Sequence, residues 1–204
     1  MNRLYKTSAI IVAAGSGSRM KANINKQYLL LSGKQILAHT LEVFESSELI
    51  SEIIVVINKE EHKQFESCIL NPYNFSKIKS VVDGGVDRQE SVFNGLASVS
   101  GDIEIIAVHD GARPFVTLDI INNSIAAAVI GGAACVGVPV KDTIKQVNQS
   151  GIVEKTLDRS LLWSIQTPQV FKKDILINAH KKAIADGFRG TDDCTLAERI
   201  RQSV

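Results

Sequence analysis

The residues able to do chemistry in this chain cluster where apolar runs end. The run Ala9-Ile10-Ile11-Val12 is followed by Ala13-Ala14-Gly15-Ser16-Gly17-Ser18-Arg19-Met20, and Lys26-Gln27-Tyr28 comes shortly after. A small, glycine-containing turn at a strand end lets the backbone approach an anion and aims successive N–H groups at it, so a nucleotide phosphate belongs here. Two familiar phosphate loops do not fit. The dinucleotide pattern wants a third glycine where Met20 stands, and the Walker loop wants Gly-Lys-Ser/Thr where the chain reads Met20-Lys21-Ala22. What is left is a glycine turn with two cations after it, Arg19 and Lys26. By residue type alone these are solvated surface charges. Beside a phosphate loop they suit an anionic centre, the arginine gripping two oxygens and the lysine acting as a compact charge.

A second apolar run, Ile103 to Val108, leads into His109-Asp110-Gly111-Ala112-Arg113-Pro114. A carboxylate at a strand's carboxyl end is a poor neighbour for a triphosphate unless a cation lies between, and Mg2+ with its oxygen ligands is the natural choice. The alternative for Asp110 is a turn or capping aspartate before Gly111. His109 has no second partner for metal or acid–base work and reads as a packing or hydrogen-bonding residue, while His39, His62 and His180 read as structural or solvated. Asp83-Gly84-Gly85 with Arg88 and Ser91 reads as a strand-end turn and the first turn of a helix, where Ser91 can bond its own backbone.

Elements of two kinds must carry these residues. Unbroken, β-branched runs at 9–12, 53–57, 78–82, 103–108 and 133–138 predict strands buried on both faces of a parallel sheet. Between them, Ile36, Leu37, Thr40, Leu41 and Phe44 share a helical face, as do Val92, Leu96 and Val99, and Ile120, Ile121, Ile125 and Val129. Further helices are expected over 172–186 and 194–202. The alternation predicts an α/β fold, Rossmann-like and doubly wound with a mostly parallel sheet, as one domain over 1–204, with ligands at the carboxyl ends of the strands. One stretch departs from it. Lys141 to Leu157 has two polar, partly alternating arms around Asn148-Gln149-Ser150-Gly151, which predicts a β-hairpin. It is either a surface hairpin or an arm, spanning 141–160, that reaches a second subunit. Trp163 reads as core or arm packing.

With these motifs in hand, the chain resembles the sugar-phosphate nucleotidyltransferases, and among them the methylerythritol phosphate cytidylyltransferase family. The resemblance rests on Ala-Ala-Gly-x-Gly-x-Arg-Met followed by Lys26-Gln27-Tyr28, then Asp83-Gly84-Gly85 with Arg88 and Ser91, His109 to Pro114, Val140-Lys141-Asp142-Thr143, and Asp158-Arg159 followed by Gln166-Thr167-Pro168-Gln169. It runs from about Ala9 to about Thr195. It implies transfer of a cytidylyl group from CTP to a polyol phosphate with Mg2+ as cofactor. The implied roles are catalysis by Arg19, Lys26 and Arg159, and nucleotide binding by Ala13, Ala14, Gly15, Gly17, Gly85, Arg88, Ser91 and Gly111. Asp110 is implied as the metal ligand, and Arg113, Thr143, Arg159, Thr167 and Thr191 as acceptor-binding residues. The hairpin is implied as a homodimerisation arm that carries Arg159 into the partner's site. The family continues with a further strand, an Asn-Ile-Lys motif and a helix that have no counterpart in these residues, which predicts weakened or absent turnover.

Composition narrows the partners. With 204 residues, a net charge of +1 and 45% hydrophobic residues, the chain is an ordinary globular domain without the concentrated basic surface of a duplex binder. Cys68, Cys135 and Cys194 are scattered and odd in number, as reduced thiols of a cytoplasmic protein are. No run is long enough to span a membrane. Competing classes are a ribitol 5-phosphate cytidylyltransferase, a catalytically silent CTP-binding module and an NAD-dependent oxidoreductase, the last opposed by Met20 and Arg19.

Overall fold

A computed structural model describes residues 5–15 and 25–204. Its strands in chain order are β1 (Thr7–Val12), the two-residue β2 (Leu30–Leu31) and β3 (Lys34–Gln35), β4 (Ile50–Ile57), β5 (Ile78–Asp83), β6 (Ile105–Asp110), β7 (Ala133–Pro139), β8 (Lys145–Val147), β9 (Val153–Thr156) and β10 (Trp163–Lys172), with a short helix, α2 (His62–Phe65), between β4 and β5. The centre is a six-stranded sheet in the order β5-β4-β1-β6-β10-β7. β1 pairs parallel with β4 and β6, and β4 pairs parallel with β5. β10 runs antiparallel between β6 and β7.

The unbroken apolar runs have a direct reading in the packing. Side chains alternate across a strand, so a strand covered on both faces must be apolar at every position. In β1, Ala9 and Ile11 pack on one face with Leu37, Leu41 and Phe44 of α1 (Ile36–Ser46) and Ile121 and Ile125 of α4 (Leu118–Gly131). Ile10 packs on the other face with Val92 and Leu96 of α3 (Arg88–Ala97), Leu176 of α5 (Lys173–Ala185) and Ala197 of α6 (Asp193–Arg199). Each of the larger side chains among them contributes about 1.5–3 kcal/mol by leaving water.

Helix starts are specified locally. The Asp87 carboxylate accepts from Glu90 N–H at 2.8 Å, and Glu90 accepts in turn from Val86 N–H at 3.1 Å, a reciprocal cap that starts α3 at Arg88. Thr117 caps α4 and Asp192 caps α6 through Thr195 N–H at 2.9 Å. Gly132, at φ 91°, ends α4 in the conformation that only glycine adopts without strain.

Several sequence expectations shift. The strand expected at 103–108 is β6 and begins two residues later, because Ile103 is buried in a loop instead of in the ladder. Val99 lies beyond the end of α3, and the helix expected over 194–202 is α6, which stops at Arg199. Trp163 is not core: it begins β10 opposite Pro139 and is 58% exposed. The hairpin is present as β8 (Lys145–Val147) and β9 (Val153–Thr156), both exposed, with Asn148 accepting from the N–H groups of Ser150 and Ile152 across the turn. No helix among the described residues is long and apolar enough to cross a membrane.

Candidate active site

The carboxyl ends of β1, β4, β5 and β6 meet at one edge of the sheet, and short backbone bonds tie the loops that leave them. Ala13 N–H donates to Val56 O at 2.7 Å, Gly84 N–H to Ile57 O at 2.7 Å and Gly111 N–H to Val12 O at 2.8 Å. A cavity of about 640 Å³ opens there, ample for a nucleotide. Its lining includes Ala13, Ala14, Gly15, Lys26, Gly85, Arg88, Asp110 and Arg113, all expected from the sequence. Gly17 and Arg19 lie outside the described residues.

One wall is built by close approach. A Cβ on Gly84 would sit 2.3 Å from Ala14 Cβ and 3.2 Å from Ser91 Oγ, so only glycine lets the two loops abut. Ser91 is buried, accepts from Gly85 N–H at 3.0 Å and donates to Asp87 O at 2.7 Å. Its hydroxyl therefore fixes the shape of the Gly85 turn from behind and is not on the cavity lining. Gly111 is likewise behind the wall, where a Cβ would meet Leu37 Cδ1 at 2.9 Å.

The opposite wall carries Lys26, in a single turn of 3-10 helix, Lys26–Tyr28. The buried Gln27 beside it donates to Ala13 O at 2.8 Å and to Glu61 at 3.2 Å, and Asn25 donates to Glu61 as well. Glu61, buried at the end of another 3-10 turn, thus anchors both neighbours of Lys26. The sequence alone does not reveal this, since Glu61 reads as one of several charges in a polar stretch.

The floor is a line of charges. Asp110, the last residue of β6, accepts from Arg113 Nε at 2.9 Å and from Arg88 Nε at 3.3 Å. Arg88 reaches the other way with Nη1 to Asp193 at 2.7 Å, and Asp193 accepts from His180 Nε2 at 3.2 Å. Burial opposes the charge on Arg88, but the carboxylates of Asp193 and then Asp110 outweigh it and hold the guanidinium above its usual pKa. Burial also opposes the charge on Asp193, and His180 and Arg88 outweigh it, leaving the carboxyl below its ordinary range. His109 is fully buried, bonds Arg113 O at 3.2 Å through Nε2 and packs against Phe44 at 5.0 Å; burial pushes its pKa down to about 4. It is a packing histidine that orients the Arg113 backbone.

The acceptor-binding expectations divide. Arg113 lines the cavity. Thr167 is buried just behind Asp110, its Oγ1 accepting from Asp110 N–H at 3.2 Å. Thr143 is exposed, and Arg159 lies exposed on the hairpin side with Nη1 donating to Lys141 O at 2.9 Å; neither is in the lining. Thr191 lines a separate cavity of about 550 Å³ with Cys135 and Ile165.

For a divalent cation, no group of three or more His, Cys, Asp or Glu side chains capable of holding it occurs among the described residues. Asp110 is nevertheless a suitable single ligand, because Mg2+ bound with a nucleotide takes one or two carboxylates plus phosphate oxygens and water. A competing set of protein ligands is not required.

Known proteins resemble this chain in sequence and fold along most of its length. The chain is 48% identical over 193 residues to the 2-C-methyl-D-erythritol 4-phosphate cytidylyltransferase of Caldanaerobacter subterraneus, covering 95% of this chain and 85% of that one. It is 50% identical over 197 residues to the enzyme of the same name from Clostridioides difficile, covering 97% and 82%. The fold matches the crystal structure of the 4-diphosphocytidyl-2C-methyl-D-erythritol synthase of Anaerococcus prevotii with a TM-score of 0.86 at 33% identity, covering 98% of this chain and 84% of that one. The family model for 2-C-methyl-D-erythritol 4-phosphate cytidylyltransferase matches residues 7–204, and the chain belongs to that family.

Proposed function

We propose that this chain transfers the cytidylyl group of CTP to 2-C-methyl-D-erythritol 4-phosphate, giving 4-diphosphocytidyl-2-C-methyl-D-erythritol and pyrophosphate for isoprenoid biosynthesis. The observation that carries the reading is the convergence of the Ala13–Gly15 backbone, Lys26, Arg88, Asp110 and Arg113 on one nucleotide-sized cavity.

A phosphate oxygen of the acceptor attacks the α-phosphorus of CTP, a new P–O bond forms, and the bond to the β-phosphate breaks to release pyrophosphate. The attacking monoester already carries about −1.5 to −2 charge near neutral pH, so no base is needed to activate it. The barrier is repulsion between anions and charge gathering on the transferring group, which positioned cations lower. Lys26 and Arg19 serve that purpose, and Arg88, Gly85 and the Ala13–Ala14 backbone receive the nucleotide, with Ser91 and Gly111 holding the walls in shape. Asp110 would hold Mg2+, which when bound neutralises phosphate charge. Arg113, Thr143, Thr167 and Thr191 are assigned to the acceptor, and Arg159 to the acceptor of a partner subunit, supplied by the hairpin in a homodimer.

The test is pyrophosphate release from CTP and Mg2+ with methylerythritol 4-phosphate and ribitol 5-phosphate as parallel acceptors. Release with only the first is expected, and Lys26→Ala is expected to lower kcat by about 10²–10³-fold, the scale of losing one charge-stabilising donor. Release with ribitol 5-phosphate alone would overturn the assignment.

A further inference from the structure

The carboxylate of Asp193 and the imidazole of His180 are both fully buried, and neither touches the cavity. Such a pair needs a reason, because a carboxylate is seldom removed from water unless partners fix it. The reason visible in the geometry is Arg88. Asp193 holds Nη1 at 2.7 Å, a shorter contact than the 3.3 Å from Nε to Asp110. The remaining nitrogen, Nη2, is buried with no hydrogen-bond partner among the described residues. A guanidinium free to choose would turn that N–H to water; this one is held in place from behind.

The holder is itself held from three elements. His180 of α5 donates to Asp193 through Nε2 and stacks on Phe93 of α3, with ring centroids 6.0 Å apart. From β10, Gln169 Oε1 accepts from Asp193 N–H at 3.0 Å, while its Nε2 donates to Asp192 at 2.9 Å. The carboxylate is thus held between His180 and Arg88 on a backbone that Gln169 holds, and the guanidinium it grips is held with it. We propose that His180 and Asp193 are positioning residues for the nucleotide, fixing Arg88 at the cavity floor through the contacts His180–Asp193–Arg88. This rests on reading the cavity as the CTP site.

Two independent readouts separate the proposal from that reading. NMR of arginine Nε–H groups follows Arg88 directly, its resonance identified with Arg88→Lys. Asp193→Asn keeps the shape of the side chain and removes its charge; His180→Ala removes a donor that His180→Gln retains. The Arg88 signal is expected to shift and broaden in Asp193→Asn and His180→Ala and to stay near its wild-type position in His180→Gln. In pyrophosphate release, the KM for CTP is expected to rise about ten-fold in the first two, the lower end of what loss of a supporting partner does at bound sites, with the acceptor KM unchanged. An unmoved Arg88 signal in folded Asp193→Asn would overturn the proposal. A common rise in both KM values would do the same, since it marks general loosening. If Asp193→Asn does not fold, His180→Ala against His180→Gln decides by the same criteria. A wild-type protein that binds no CTP by calorimetry overturns the reading of the cavity instead, while the NMR comparison still decides whether Asp193 holds Arg88.

Discussion

Gly84 and Gly95 both stand where a methyl group would collide, and the collisions differ in what they disturb. At Gly84 the new carbon would meet Ala14 Cβ at 2.3 Å, in the wall of the cavity. Gly84→Ala is therefore expected to push the Ala13–Gly15 loop out of place and raise the KM for CTP, measured by steady-state pyrophosphate release, with little change in thermal unfolding. At Gly95 it would meet Ile10 Cγ2 at 2.8 Å and Val56 Cγ2 at 3.1 Å, in the core. Gly95→Ala gains about 1 kcal/mol of helix propensity but overpacks by about 1–3 kcal/mol, so a lowered midpoint in denaturant with an unchanged KM is expected. The same contrast governs what could be read from sequence. Lys26, Arg88, Asp110 and Arg113 are recognisable because a charge beside a strand end or a glycine turn is out of place unless it meets a ligand. Asp193 and His180 are not recognisable, because their meaning lies in a contact between Arg88 and Asp193 made across 105 positions of chain. Glu61 is hidden for the same reason, 34 positions from Gln27.

Among the elements, the 3-10 turn that carries Lys26 buries Tyr28 in the core and is tied on its other side to Glu61 through Asn25 and Gln27. Removing that carboxylate in Glu61→Ala takes a partner from both Asn25 and Gln27 and leaves Gln27 its bond to Ala13 O, so kcat is expected to fall by about ten-fold while far-UV circular dichroism is unchanged, the scale at which lost support acts on a site. The strand β4 has a comparable anchor at its other end. Glu52 accepts from Ser100 N–H at 2.9 Å and from the Ser100 hydroxyl, with Lys79 3.5 Å away. Burial opposes its charge, yet the bonds from Ser100 outweigh it, so the carboxyl titrates below its ordinary value of 4.5. The folded protein then binds this proton less readily than the unfolded chain does. The stabilisation is complete above about pH 4.5 and disappears as pH falls through the folded value. Glu52→Gln is expected to melt lower than wild type at pH 7 and to lose less on acidification, by thermal scans across that range. Parallel strands were legible because two buried faces demand unbroken apolar runs. β10 was not, because Pro168 and the polar run Gln166-Thr167 contradict a central strand, and its pairing with β7 shifts register between Ile165 and Gln169 to accommodate them.

At the scale of the whole molecule, the apolar surface is uneven. Leu161 and Trp163 are 77% and 58% exposed beside the hairpin, where Ile152 and Val153 are exposed as well. Exposed apolar side chains on and beside the hairpin suit the proposed subunit contact. Leu161→Glu combined with Trp163→Glu is expected to halve the mass found by sedimentation equilibrium. If Arg159 acts across that contact, Lys26→Ala and Arg159→Ala chains, each strongly impaired alone, recover pyrophosphate release when mixed, because one site of the mixed dimer keeps both groups. The floor of the cavity has a consequence of a different sort. Asp110 engages both Arg88 and Arg113, so a phosphate that reaches for either guanidinium competes with this carboxylate. On the proposed reading, substrate binding is thus an exchange of anions, in which the carboxylate gives up Arg88 to the nucleotide and Arg113 to the acceptor. Asp110 works as a counter-charge that keeps two like charges side by side at the cavity floor, and an anion must outcompete it to bind there. Asp110→Asn should accordingly bind CTP more tightly than wild type without a divalent cation, in calorimetry, even as it loses metal-dependent turnover.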